Sequence, residues 1–322
     1  TDIAKMLQFT QKVQSNVASD MIIGVDLITK SLQSSMSDHE FDFFKEDEKY
    51  LKVCSANQSM MSICIYKIMK SQVLFLYSNL DIAYKEIMDS SSMLSFIVGL
   101  HPVAEHNFYY SLILCALYKD AGKEDRLKYM TQIKINQKQM KIWAESCAEN
   151  FLHKYLLVEA EIARIEYKNW KAAKLYDESI LEARKNDFTQ NEALANELAA
   201  KFWLKKKNYR FAQNYFLEAY KCYEGWGAVR KCEDLVEKYP NYISEQKIPY
   251  DFNKTLSGTM TISTQTGNGA STQLHTTNTL DLQSVLKSSS AISGEIKIES
   301  LLNKIMSIVI ENAGAQRGVL LL

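Results

Sequence analysis

Tyr209-Arg210-Phe211-Ala212-Gln213-Asn214-Tyr215-Phe216-Leu217-Glu218-Ala219-Tyr220 sets an aromatic ring between two alanines at spacings of four and three. Residues three and four apart share one face of an α-helix, so Ala212, Phe216 and Ala219 line up as small, large, small. A second helix can approach closely at the alanines while the ring fills the space left between neighbours. Forty residues earlier Ala172, Tyr176 and Ser179 keep that order, with Trp170 ahead of them as Tyr209 is ahead of Ala212 and a turn one residue shorter. Leu80, Ala83, Ile87 and Ser90 form a weaker third copy.

The segment before Tyr209 carries Ala199, Ala200 and Trp203 where a partner helix would place small and aromatic residues, across a turn at Lys205 to Asn208. Together Trp170, Ala172, Tyr176, Ser179, Trp203, Tyr209, Ala212, Phe216 and Ala219 read as the structural positions of tetratricopeptide-like units. The expected fold is mainly α, with stacked antiparallel helix pairs forming an α-solenoid. The alternative is an irregular helical bundle in which the alanines and rings coincide, and two copies with the same order favour the repeat.

From residue 1 to about 240 the interior holds one proline, Pro102, and apolar residues recur at three and four. Tyr155, Leu156, Val158, Ala160, Ile162, Ala163 and Ile165 make an apolar face too broad for a helix covered on one side, so that helix is expected between neighbours. Tyr239-Pro240 is expected to stop the array, because proline lacks a backbone donor and disfavours helix before it. The helical array is therefore placed at 1–240.

Composition then changes. Between Asn253 and Thr279, 20 of 27 residues are Ser, Thr, Asn, Gln or Gly, with too little apolar surface to offset the entropy of ordering, so 241–279 reads as a flexible linker. Gly267-Asn268-Gly269 lacks the lysine and following helix of a phosphate loop and belongs to that linker. From Leu280 two apolar stripes, through Leu282, Val285, Leu286 and Ile292 and then Leu301, Leu302, Ile305, Ile308 and Val309, precede a buried-strand pattern at Arg317 to Leu322. A lone strand leaves its backbone groups unsatisfied, so its sheet is expected to continue past Leu322.

The 322 residues are 47% hydrophobic, and Lys plus Arg equal Asp plus Glu at 38 each. That balance gives no footprint for nucleic acid or an acidic membrane. No apolar run approaches the length that spans a bilayer, which points to a cytoplasmic protein without membrane insertion. Thr1 to Lys12 lacks the pattern of a signal peptide and an initiator Met, as expected of a piece cut from something longer.

Cys54, Cys64, Cys115, Cys147, Cys222 and Cys232 are dispersed without metal or redox spacing and are expected as reduced, buried thiols. His101 and His106 would lie about 140 degrees apart on a helix and suit packing or surface positions. Glu159, Glu161 and Glu166 alternate with apolar residues as a solvated face would. Lys205, Lys206, Lys207 and Arg210 make a basic turn, read as solvated rather than as a contact with an acidic partner. No catalytic, cofactor-binding or metal-ligating residue is nominated.

Three stretches, His106-Asn107-Phe108-Tyr109-Tyr110, Asn191-Glu192-Ala193-Leu194-Ala195-Asn196-Glu197-Leu198-Ala199-Ala200 and Tyr223-Glu224-Gly225-Trp226-Gly227-Ala228, carry a resemblance. Leu280-Asp281-Leu282, Ala291-Ile292-Ser293-Gly294-Glu295-Ile296 and Glu311-Asn312-Ala313-Gly314-Ala315-Gln316-Arg317-Gly318 carry it further. Over residues 40–118 and 144–322 the chain resembles the central region of large hybrid sensor histidine kinases that also contain a serine/threonine-kinase-like domain and an AAA-type ATPase. The resemblance implies that the tetratricopeptide-like array leads into the first helices and strand of a GAF sensor domain at 280–322, in two-component signal transduction. It also implies a parent that uses ATP at sites this chain does not carry, so neither enzymatic activity nor a cofactor is expected here. Expected partners are the adjoining domains of the parent and proteins on the array, with a homodimer through 280–313 left open. A stand-alone tetratricopeptide-type adaptor and a small-ligand-binding GAF sensor are the alternatives.

Overall fold

Runs rich in Ala, Leu, Glu and Lys with little Gly or Pro favour helix, and in the computed structural model every regular element among the described residues, 2–35 and 43–243, is helical. In order these are α1 (Asp2–Lys12), α2 (Asn16–Gln33), α3 (Phe43–Ala56), α4 (Met60–Leu76), α5 (Leu80–Ser91), a 3-10 turn (Leu94–Ile97), α6 (Pro102–Leu117) and α7 (Lys123–Ser146). They continue with α8 (Ala148–Ile165), α9 (Asn169–Lys185), α10 (Thr189–Lys205), α11 (Tyr209–Trp226), α12 (Val229–Lys238) and α13 (Pro240–Ile243). The expected linker past residue 243 and the expected GAF start at 280–322 lie outside the described residues.

One turn recurs. Tyr167, Asp187, Lys207 and Gly227, twenty residues apart, occupy the left-handed region with φ of 59°, 59°, 60° and 85°. The next amide reaches back five residues to the preceding helix: Lys168 to Ala163 O at 2.9 Å, Phe188 to Ala183 O at 2.9 Å, Asn208 to Trp203 O at 3.0 Å and Ala228 to Tyr223 O at 3.0 Å. This hydrogen bond satisfies a carbonyl that the helix end would otherwise leave open and reverses the chain in three residues. Gln58 and Ser78, also twenty apart, repeat the device after α3 and α4, with Ser59 N to Cys54 O at 2.9 Å and Asn79 N to Leu74 O at 2.8 Å.

Equal turns correct one expectation. The turn before α9 is not shorter, since Glu166–Lys168 and Lys206–Asn208 are both three residues, and the copies are in a forty-residue register in which Asn169 takes the place of Tyr209. Trp170 lies one position further on, in the first turn of α9, and is 85% exposed.

Neighbouring helices pack in sequence from α4 to α11, and α4 with α6, α6 with α8 and α8 with α10 also touch, so the even-numbered helices form the inner layer of the stack. Their direction is shared. Lys154 near the start of α8 pairs with Glu105 near the start of α6 at 2.8 Å, and Arg164 near the end of α8 reaches Cys115 O near the end of α6 at 3.2 Å. The broad apolar face of α8 lies between α6, α7, α9 and α10 as its width requires.

The array turns far enough that α12 returns to α2 and to the end of α4. Tyr239-Pro240 breaks the helix without ending the packed chain. Pro240 starts α13, Tyr239 stacks on Phe216 with ring centroids 4.2 Å apart, and Ile243 is buried. The missing amide of proline costs nothing at a first helical position, where it would have no partner within the helix.

A non-glycine residue in the left-handed region is strained by about 1–2 kcal/mol, and glycine relieves this at some cost in unfolded-state entropy. Lys207→Gly should therefore raise the unfolding free energy by about 0.5–1 kcal/mol, and the β-branched Lys207→Val should lower it by about 1 kcal/mol. Urea unfolding checks both, read as shifted midpoints at unchanged slope.

Candidate functional site

The repeat positions separate into a core and an exterior. Ala172, Tyr176, Ser179, Ala212, Phe216 and Ala219 are at most 1% exposed, Trp203 is half-buried, and Tyr209 and Trp170 open their helices in solvent. Tyr176 packs on Phe202, and its hydroxyl donates to Glu161. Ser179 Oγ donates to His153 O at 2.8 Å, fastening α9 to α8. Phe216 is covered by Tyr239 and Tyr242, so the C-terminal turn, rather than a following helix pair, closes this end of the core.

The first turns of the inner helices hold a buried polar cluster. Besides pairing with Glu105, Lys154 Nζ sits 5.0 Å over the Phe188 ring, which stacks against His153 at 4.5 Å. Asn191 Nδ2 is 2.7 Å from His153 Nε2. Burial and the neighbouring Lys154 ammonium push His153 down to about 3, so it is neutral at physiological pH. Burial also lowers His106, whose Nε2 contacts Ser91 Oγ at 2.9 Å and Ile87 O at 3.1 Å.

The last turns of the same helices frame a cavity of about 370 Å³. Its floor is apolar, with Phe75, Leu80, Ala116, Leu194, Leu198 and Phe202, and its rim is charged. A second cavity of about 500 Å³ adjoins it and shares Lys119, Arg164, Phe202 and Lys205. Arg126 and Lys206 complete the cationic wall of this outer chamber, which no carboxylate lines.

The rim charges are not equivalent. Arg164 is bound to Glu161 through Nε and Nη2, and burial pushes that carboxyl up while Arg164 and the Tyr176 hydroxyl outweigh burial and hold it below the ordinary range. Arg126 donates to Tyr118 O and Lys119 O. Among the described residues Lys119 and Lys205 form no ion pair, though Asp120 lines the same cavity. Burial, then Arg164, Lys119 and Lys201, hold the Lys205 ammonium below the usual lysine range against the opposing pull of Glu161.

Glu197 joins the cavity to the closure of the array. Its Oε1 is 2.7 Å from Lys201 Nζ and 3.1 Å from Lys231 Nζ, and Tyr223 donates to Oε2 at 2.8 Å. Lys231, 1% exposed, also reaches Asp234 at 3.0 Å and Leu76 O at 2.6 Å, 155 residues earlier in the chain. Burial pushes the Glu197 carboxyl up, and Lys201, Lys231 and Tyr223 override it, bringing it down to about 2.

Sequence reasoning treated Glu161 as solvated, yet it is 4% exposed, because its position on α8 faces Tyr176 and Arg164. Of the basic turn, Lys205 and Lys206 line cavities, whereas Lys207 and Arg210 do not. The signal available in the sequence was the four-residue spacing of Lys201 and Lys205, which puts both on one face of α10. Lys119, Arg126 and Arg164 come from other elements and share no local pattern with them.

A stretch of 66 residues, 20% of the chain, is 35% identical to the hybrid signal transduction histidine kinase G of Dictyostelium discoideum and covers 2% of that protein. This partial similarity relates a segment of the chain to a histidine kinase. No family model and no solved structure matches the chain.

Two outcomes follow from the buried charges. Below the unfolded histidine value of 6.5 the unfolded chain gains a proton that folded His153 refuses, so as pH drops His153 should lower stability by about 1.4 kcal/mol per pH unit between about 6.5 and 4.5, below which Glu197 adds its own loss. Urea unfolding at stepped pH should show this slope, and His153→Gln should flatten it. Lys231→Met removes a buried partner of Glu197 and should cost about 3–5 kcal/mol, much of it recovered in the double variant Lys231→Met/Glu197→Gln, as a double-mutant unfolding cycle would measure.

Proposed function

We propose that this chain is a non-catalytic regulatory and scaffold segment of a multidomain sensor histidine kinase in two-component signalling. In this reading residues 1–240 are a tetratricopeptide-like contact platform, 241–279 a linker, and 280–322 the entry to a GAF sensor that receives or passes on the platform's state. The platform contacts adjoining domains or protein partners. ATP chemistry belongs to other parts of the parent, and residues 280–313 offer a dimer contact.

The observation that carries the reading is the inner helical layer, whose parallel helix ends border a cavity with a charged rim on which Lys119 and Lys205 form no ion pair among the described residues. A surface of that form is built for recognition, since unpaired like charges held together cost stability unless something binds them. The partial similarity to a histidine kinase supplies the signalling class. A cytoplasmic setting is part of the proposal, and among the described residues no helix is long and apolar enough to cross a membrane.

Purified as 322 residues and given magnesium and ATP, the chain should show neither ATP hydrolysis nor autophosphorylation above a buffer control. In the complete gene product, Lys231→Met should change the autophosphorylation rate by about fivefold or more if the array is coupled to a kinase core. Phosphate incorporated into the isolated chain, or an unchanged rate in the complete product despite a loosened array, would overturn the proposal.

A further inference from the structure

The two joined chambers have the size of small-molecule sites, each between about 300 and 1,000 Å³, and set a charged lining around an apolar floor. Their shared border is where Lys119, Arg164, Lys205 and Phe202 meet, at the ends of α6, α8 and α10. Arg164 is neutralised by Glu161, which lines the inner chamber together with Asp120 and Glu197, and among the described residues Lys119 and Lys205 are the lysines of that chamber that form no ion pair. Lys206 Nζ, 5.9 Å over the Phe202 ring, adds a third cation at the outer mouth.

We propose that these chambers form a binding site for a small organic phosphate, with the phosphate between Lys119 and Lys205 and an apolar or aromatic body on the floor beside Phe202. Two lysines, one in the turn after α6 and one at the end of α10, suit a compact dianion, which each can approach as a point charge, better than the planar carboxylate that favours a bidentate arginine. Lys119 and Lys205 are exposed, so the phosphate would be met at the mouth while Phe75, Leu198 and Phe202 line the apolar side. The volume of each chamber suits a soluble molecule rather than a diacyl lipid. Nothing in this assignment depends on the contact-platform reading, because a ligand bridging α6 and α10 would bind in the isolated chain.

Titration calorimetry on the full 322-residue chain tests it with 1-naphthyl phosphate and ATP as organic phosphates. Inorganic pyrophosphate serves as charge without an apolar body, an alternating Glu-Leu peptide as a protein-like anion, and phosphatidic acid vesicles as a lipid source. Both organic phosphates should bind more tightly than pyrophosphate, and Lys119→Glu and Lys205→Glu should each weaken them by about tenfold or more. Lys207→Glu, on the same turn but outside the chambers, should leave affinity unchanged, and thermal unfolding confirms that each variant folds. The milder Lys205→Gln should give a smaller loss in the same direction. The inference is overturned by absent binding, by pyrophosphate binding as tightly as the organic phosphates, by equal losses in Lys205→Glu and Lys207→Glu, or by preferential capture of the peptide or the vesicles. Failure here with an intact effect of Lys231→Met on autophosphorylation would leave the platform reading in place.

Discussion

Register is the constraint on which this molecule rests. Left-handed turn residues at 167, 187, 207 and 227 make α9, α10 and α11, each with its turn, twenty residues long, so α11 begins at the same phase as α9 and α12 at the same phase as α10. Ala172 and Ala212, Tyr176 and Phe216, and Ser179 and Ala219 are then buried alike. A one-residue insertion in a helix would rotate its face by about 100 degrees and bring charged side chains to the alanine contacts. The strain at Tyr167, Asp187 and Lys207 is tolerated because each is held by the five-residue hydrogen bond behind it and by packing on both sides.

Stacking in register brings the inner helices parallel and leaves their two ends chemically different. At the starts, charge is consumed internally: Lys154 is spent on Glu105 and on the Phe188 face, and His153 stays neutral. At the ends the lysines outnumber their ion pairs, because Glu161 and Glu197 are already occupied while Lys119 and Lys205 form no ion pair among the described residues. Helix ends carry partial negative charge from their open carbonyls, which offsets part of the repulsion among these cations.

Much of the framework was legible in the sequence for a simple reason: small and aromatic residues at fixed helical spacing are a local pattern, and helical packing reads it locally. Ala212, Phe216 and Ala219 needed no knowledge of the rest of the chain. Trp170 misled because a large ring beside a repeat looks like part of it, whereas the forty-residue register puts Asn169 there instead. The left-handed turns were invisible because tyrosine, aspartate and lysine occupy them where glycine would have announced them. Glu161 and Lys231 were illegible for a different cause. Charged residues signal exposure on average, and only partners such as Tyr176, or a carbonyl 155 residues away, make burial tolerable.

Glu197 is the point at which closure and cavity become one electrostatic system. Its Oε1 is shared by Lys201, which lines the cavity, and by Lys231, which holds α12 against the end of α4. Two cations sharing one oxygen compete for it, so any change in the charge surrounding Lys201 alters what remains for Lys231. The carboxylate is almost wholly buried, so little water intervenes to screen that exchange. An array joined only by apolar contacts would pass no such signal, since dispersion and burial do not depend on charge at a distance. The buried ionic clasp costs desolvation that a leucine pair would avoid, and what it supplies in return is an electrostatic link between the state of the cavity and the grip of the last helices.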